Sequence, residues 1–129
     1  MKVSDLSGGA LSQLLSTGEL VMAAHPFTFR VRSDLKSLSE DIALAYADFD
    51  LCSPEEFADF HVQIMREPGL RRWFKPLARF FFDRQPSFIP LPVGQAFAML
   101  EWGLNWCVAA HAHQFLIIHA AVVERNGQA

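Results

Sequence analysis

The chain has 129 residues, enough for one domain or for one domain and the start of a second. Hydrophobic residues make up 51% and aromatic residues 12%, with twelve Phe and three Trp, so core material is ample and disorder over most of the chain is excluded. A net charge of −3 with 19% charged residues argues against a nucleic-acid or anionic-membrane partner.

Residues 1–19 begin weakly. Ser7 caps a short helix carrying Leu11, Leu14 and Leu15, which Gly8 and Gly9 weaken. Residues 20–22 and 27–32 read as two short strands. The second alternates Phe27, Phe29 and Val31 with Thr28, Arg30 and Arg32, the pattern of a strand with one wet face. Ser37-Leu38-Ser39-Glu40 fits a capping box, so a helix of about three turns follows and buries Leu38, Ile42, Ala45 and Tyr46. Asp48, Asp50, Ser53 and Pro54 mark a loop.

Residues 58–66 form the next strand, with Phe60, Val62 and Ile64 on one face and Asp59, His61, Gln63 and Met65 on the other. Pro68-Gly69 turns the chain. Residues 71–75 and 78–83 read as strands with Pro76 as a bend between them. Residues 84–87 turn again, and 88–91 make an edge piece between Pro86 and Pro92. The middle of the chain thus predicts an antiparallel sheet built from hairpins.

Residues 93–112 predict a helix of about 20 residues, about 30 Å long. Phe97, Leu100, Leu104, Trp106, Cys107 and Val108 cover most of its circumference, so burial on most sides is expected, with the helix lying across the sheet. Glu101 and Asn105, four apart, suit a buried polar pair. Gln95, Glu101, Asn105 and His111 interrupt the segment too often for a bilayer span, and no secretory signal opens the chain. Cys52 and Cys107 lack a metal-like pair spacing and read as buried free thiols in a reducing cytoplasm, which makes cytoplasmic the expected location.

Residues 115–127 read FLIIHAAVVERNG. The apolar run from Phe115 to Ile118, followed by Val122 and Val123, predicts a buried strand, and Asn126-Gly127 predicts a type I′ turn. Only Gln128 and Ala129 follow, so the expectation is a polypeptide that stops inside a structural unit and forms the N-terminal part of something longer. A strand without its partner predicts dimerisation, aggregation or fraying through residues 115–123.

Several side-chain sets invite a functional reading. Cys107, His111 and His113 form C-x₃-H-x-H, and Cys107 with His111 shares a helical face; His61 or His119 would have to complete a metal site. The structural reading is preferred, with the histidines near a helix C-terminus, and no metal is expected. Arg71, Arg72, Lys75, Arg79 and Arg84 interleave with Trp73, Phe74 and residues 80–82, a pattern that can grip single-stranded nucleic acid. Net acidity favours instead a two-faced sheet with aromatics inward and arginines in water; recognition of an acidic protein partner is a second reading. A small-ligand pocket beside Trp102 and Trp106 is a further reading. His119, inside the terminal strand, reads on its own as a core histidine. Nothing suggests a Ser-His-Asp set or a dinucleotide-binding fingerprint.

His119-Ala120-Ala121-Val122-Val123-Glu124-Arg125-Asn126-Gly127-Gln128-Ala129 resembles the strand and turn leading into the P-loop of the HPr kinase/phosphorylase superfamily, in the branch called HprK-related kinase A. Leu100-Glu101-Trp102-Gly103-Leu104-Asn105-Trp106-Cys107, Pro26-Phe27-Thr28-Phe29-Arg30-Val31-Arg32-Ser33 and Asp59-Phe60-His61-Val62 resemble the same branch. The likeness runs from about Pro26 to Ala129, and LEWGLNW is its most specific part. It implies the N-terminal region of an ATP-dependent serine kinase. By pattern, residues 1–112 are expected to form an N-terminal α+β domain, a mostly antiparallel sheet packed by one long helix and one or two shorter ones. Residues 113–129 would start a truncated P-loop nucleotide-binding domain. The implied catalytic residue is His119, acting only in the full-length protein, where ATP and Mg²⁺ are the implied cofactors. Implied partners are its own downstream P-loop domain, a protein substrate and a second copy. No G-x-x-x-x-G-K-[ST] loop occurs in the chain, so these residues alone are expected to be inactive. The alternative is a non-enzymatic interaction or dimerisation module.

Overall fold

A computed structural model describes residues 1–118 and 120–128. The fold is α+β: one mixed sheet with three helices on one of its faces. The strands are β1 (Leu20–Ala24), β2 (Phe27–Ser33), β3 (Asp50–Leu51), β4 (Phe60–Arg66), β5 (Leu77–Phe82), β6 (Gln85–Pro86) and β7 (Leu91–Pro92). Their order is β3-β1-β2-β4-β5-β6, and β7 pairs with the start of β5. The helices are α1 (Gly8–Thr17), α2 (Lys36–Ala45) and α3 (Ala96–His111).

Alternation decides the faces. Phe29 and Val31 of β2, Phe60, Val62 and Ile64 of β4, and Ala78 and Phe80 of β5 all enter one core with Leu11, Leu15, Leu38 and Ile42 of α1 and α2. Ser7 caps α1 as expected, accepting from Ala10 N–H at 3.2 Å. The capping box at Ser37 does not form. The helix α2 starts two residues earlier, at Lys36 with Leu35 at the cap position, where Leu35 is buried and its N–H bonds Ser33 Oγ at 3.1 Å. Ser33 is therefore the hydroxyl that turns the chain into the helix, and Ala45 ends on the exposed side.

The pairing of β2 with β4 is parallel, with Arg30 opposite His61 and Arg32 opposite Gln63; every other pair is antiparallel. Hairpins alone cannot give a parallel pair, so the chain must cross over. It does so by wrapping the β1–β2 hairpin. From β2 it passes through α2 on the core face and adds β3 beside β1, where a loop had been expected. Residues 52–59 then cross the outer face to reach β4. Arg30 fixes this crossing: its guanidinium donates to the carbonyls of Pro54 (2.7 Å), Glu56 (3.1 Å) and Gly18 (3.3 Å). Asp59 closes the crossing by accepting from Thr28 N–H at 2.8 Å. The crossing explains why Val21 and Ala23, on the outer face of β1, are buried.

Helix α3 buries Ala96, Met99, Leu100, Gly103 and Cys107, one stripe at helical spacing. Burial on most sides is not found: Trp102 is 60% exposed on the opposite face. Arg71–Lys75 is not a strand but follows a 3₁₀ turn over Leu70–Trp73, which leaves Leu70, Trp73 and Phe74 exposed rather than turned inward. Residues 115–118 and 120–124 form no strand and are exposed, in place of the buried strand expected. The turn beyond them does form. Asn126 and Gly127 take φ of 55° and 77°, and Arg125 and Gln128 exchange both backbone bonds.

Gly103 faces the fully buried Phe80 ring, and a Cβ at 103 would lie 2.5 Å from Phe80 Cζ and 2.7 Å from Cδ2. Gly103→Ala gains about 1 kcal/mol of helix propensity but overpacks the core by more, so a net destabilisation of about 2 kcal/mol is expected in urea unfolding. Gly9→Ala in α1, where nothing lies within 4 Å, is the control and should stabilise by about 0.5–1 kcal/mol. A neutral Gly103→Ala would show that α3 does not rest on Phe80.

Candidate functional site

Two concavities lie on opposite faces of the sheet. The first is a hollow of about 250 Å³ on the core face, between α3 and the ends of β1 and β2 that meet at the hairpin turn. Ala24 and Phe27 supply its strand wall, and Leu104 and Val108 supply its helix wall. Tyr46, at the C-terminal end of α2, and Glu101, mid-way along α3, supply its polar atoms. Tyr46 arrives there because its N–H still bonds Ile42 O at 2.9 Å, while its ring packs on Phe49 and Phe97 at 4.7 and 5.7 Å. Its hydroxyl donates to Glu101 Oε1. Burial, then that hydrogen bond and the carboxylate's charge, hold the phenol well above the usual tyrosine range. The pair therefore presents a hydrogen-bonded carboxylate beside an apolar wall.

The hollow opens toward the C-terminal segment. Phe115 meets Phe27 edge-on at 5.5 Å, and a second space of about 280 Å³ lies between Asn105, Val108 and Ala109 of α3 and Ile117, Ile118 and Ala120. Among the described residues of this segment, Phe115 makes the ring contact, while Leu116, Ile118, Val122 and Val123 are all exposed. The second concavity, about 400 Å³, lies on the outer face and is polar, lined among others by Arg30, Arg32, His61, Asp83 and Arg84.

The residues singled out from sequence fare unevenly. His119 lies outside the described residues. Cys107 and His111 share a helical face but do not converge. The thiol is buried under the sheet, where burial and then the charge of Asp83 push it up to about 12. His111 Nδ1 sits 3.0 Å from the Cys107 carbonyl oxygen, and its ring packs on Phe82 at 4.6 Å. Among the described residues no group of three His, Cys, Asp or Glu is placed to hold a metal. Both cysteines are free, and Cys52 is only half-buried. Glu101 and Asn105 do not pair through their side chains: Asn105 Nδ2 donates to the Glu101 carbonyl at 2.9 Å, and Glu101's side-chain partner is Tyr46.

The basic and aromatic residues of 71–84 do not form one strip. Arg79 pairs with Glu67, Arg84 enters the outer groove, and Arg71 and Lys75 stay at the exposed turn. The space beside Trp102 and Trp106 is filled by Phe88, stacked on Trp102 at 4.9 Å and 8° and edge-on to Trp106 at 5.4 Å. Among the described residues no helix is long and apolar enough to cross a membrane. Comparison with protein-family models, curated proteins and solved structures finds no match.

Tyr46 is the only tyrosine. It and Cys107 are held protonated in the fold and ionise more readily once unfolded, so both contribute stability that is full at neutral pH. That stability should fall above about pH 9 for the thiol and about pH 10 for the phenol. Urea unfolding from pH 7 to 11 should show the decline, and Tyr46→Phe should flatten its upper part at a cost of about 1–2 kcal/mol at pH 7. Tyrosinate absorbance should rise only together with unfolding. A folded chain whose tyrosine titrates near its ordinary value would refute the pairing with Glu101.

Proposed function

We propose that this chain is the N-terminal region of an HPr-kinase-like, ATP-dependent serine kinase, and that it acts there as an accessory α+β module rather than as the part that transfers phosphate. The observation that carries the reading is segment 115–123. Its sequence is apolar enough for a buried strand, its described residues stay in water here, and it runs up to a formed type I′ turn at Asn126-Gly127. Such a stretch suits an approach strand that gains its neighbours from a P-loop domain. That downstream domain would then be its main partner, and the hydroxyl-bearing protein substrate would be a partner of the whole enzyme. ATP and Mg²⁺ belong to the same downstream part. P-loop chemistry rests on backbone amides, a lysine and a metal-binding hydroxyl at a helix N-terminus. The sequence here has no such loop, so no residue of this chain is assigned to either group. His119, by resemblance, would reach the phosphate site of the longer protein.

The test is to read the coding sequence past the Ala129 codon. A short apolar strand and G-x-x-x-x-G-K-[ST] within about 15 residues is the expected result, and a stop codon there would overturn the reading. With the longer protein in hand, His119→Ala should lower phosphoryl transfer while leaving the unfolding transition unchanged; wild-type turnover would remove His119 from the mechanism. The 129-residue chain alone should show no ATP binding in the micromolar range.

The second reading, a dimerisation module, is favoured by the same exposed side chains: Leu116, Ile118, Val122 and Val123 present an apolar, unpaired backbone stretch that a second copy can cover. Sedimentation velocity separates the possibilities. A dimer that the double change Leu116→Asp, Val122→Asp converts to monomer supports it, and a concentration-independent monomer excludes it.

A further inference from the structure

The outer face of the sheet carries a groove of about 400 Å³ in which positive charge is gathered in excess, three arginines against one carboxylate. Four pieces of chain build it: the end of α1 at Thr17 and Gly18, β2, β4, and the turn between β5 and β6. The parallel register sets Arg30 beside His61 and Arg32 beside Gln63. The β5–β6 turn is drawn alongside because Asp83 N–H bonds His61 O at 3.0 Å.

Arg30 forms the floor. Its guanidinium donates to three neutral carbonyls and to no carboxylate, so its hydrogen bonds are met while its charge is kept. Arg32 and Arg84 are exposed and make no side-chain hydrogen bond or ion pair among the described residues, where the two ion pairs found are Lys2–Asp48 and Arg79–Glu67. Three arginines and one acidic residue, Asp83, thus line the groove, in a chain whose overall charge is −3. Asp83 and Arg84 take φ of 46° and 66° in a two-residue hairpin turn where Asn-Gly is the comfortable pair. At the opposite wall, Gly18 leaves room for the Arg32 stem, since a Cβ there would lie 3.3 Å from Arg32 Cδ.

We propose that this groove binds a small phosphate monoester, with the phosphate held by Arg32 and Arg84 over the fixed charge of Arg30. Two free guanidinium forks above a third suit a compact dianion, which they can grip through paired charge-assisted bonds. The groove size matches a small ligand, and the lining has no Phe, Tyr or Trp to serve as a broad stacking platform for a nucleobase, His61 being its one ring. Asp83 opposes an extended polyanion. It favours instead a ligand whose body carries a hydroxyl or ammonium donor, and Gln63 can bond that same body from β4. The phosphate can arrive on a free sugar-phosphate-like molecule or on a phosphorylated hydroxyl side chain. The proposal rests on this groove alone and not on the kinase reading.

The experiment is a ¹⁵N-HSQC titration of the chain with glucose 6-phosphate, with a short phosphoserine peptide and with inorganic phosphate, using glucose and the unphosphorylated peptide as controls. Saturable shifts at residues 17–18, 30–32, 61–63 and 83–84, with either ester and neither control, support the site. Saturation by the sugar phosphate only identifies a free small molecule, and saturation by the peptide only identifies a modified side chain. Arg84→Gly removes the guanidinium and relieves the positive φ, so affinity should drop about tenfold while thermal stability holds or rises. Arg32→Gln should weaken binding by a similar factor. Shifts that drift without saturating and match those of added chloride would overturn the proposal. So would an undiminished affinity in both variants, or binding of inorganic phosphate with no tighter ester.

Discussion

The seat of Phe80 on Gly103 sets how closely the long helix approaches the sheet. Phe80 has no exposed surface, and Gly103 is the point of α3 where its ring meets no side chain. A helix lifted by the thickness of a methyl group would loosen Met99, Leu100 and Cys107 together, since all lie on the same stripe. It would also change the reach from Glu101 to Tyr46, and so the link between α3 and the end of α2. On the other flank it would disturb the stack of Trp102 on Phe88, whose ring also touches Phe80 at 5.0 Å. One close approach thus positions the apolar hollow on one side of α3 and the aromatic cluster on the other.

The outer face is organised by a different kind of constraint. A parallel pair between β2 and β4 obliges the chain to cross the sheet, and the crossing loop has backbone carbonyls that need donors. Arg30 supplies them at Pro54 and Glu56, and reaches Gly18 at the end of α1 as well. A lysine could not hold three divergent acceptors in one plane. Carbonyls satisfy a guanidinium's donors without cancelling its charge, so the same residue that ties down the crossing leaves the neighbouring groove electropositive. The structural solution and the electrostatic character of that face have one cause.

How much of this was legible follows from the range of each interaction. Ser7 as a cap, the alternation of β2 and β4, the helix at 96–111 and the turn at Asn126-Gly127 rest on neighbours a few residues apart, and the sequence states them directly. What it withheld depends on partners far along the chain. Ser37 looks like a cap until Ser33 Oγ is seen bonding both Leu35 N–H and, at 2.5 Å, Ile64 O, 31 residues away. Tyr46 and Glu101 are each conspicuous, one as a buried aromatic and one as a polar break in an apolar helix. Their partnership across 55 positions has no local signature. The outer groove was half visible, because Arg30, Arg32, His61 and Gln63 all fall on the wet faces of their strands. Only the parallel register, which hairpin logic does not predict, puts those two wet faces side by side. The apolar run at 115–118 shows the converse failure. Composition states that a segment would prefer burial but not that a covering surface is within reach, and here the segment stays exposed.

The stretch LEWGLNW can be followed side chain by side chain, and each has a packing task. Leu100 fills the core, Glu101 receives Tyr46, Trp102 covers Phe88, Gly103 admits Phe80, Leu104 walls the hollow, Asn105 bonds back to its own helix, and Trp106 packs on Phe82 and Phe88. The residues on which the proposed kinase likeness would rest most specifically are therefore those that fix α3 against the sheet. A likeness carried by such residues speaks first of a shared scaffold, since packing of this density constrains residue identity whether or not any chemistry is present. Activity would then have to be read from what the scaffold presents. On this chain that means an unpaired apolar segment beside the hollow at Glu101, and an excess of arginines over carboxylates in the groove on the opposite face.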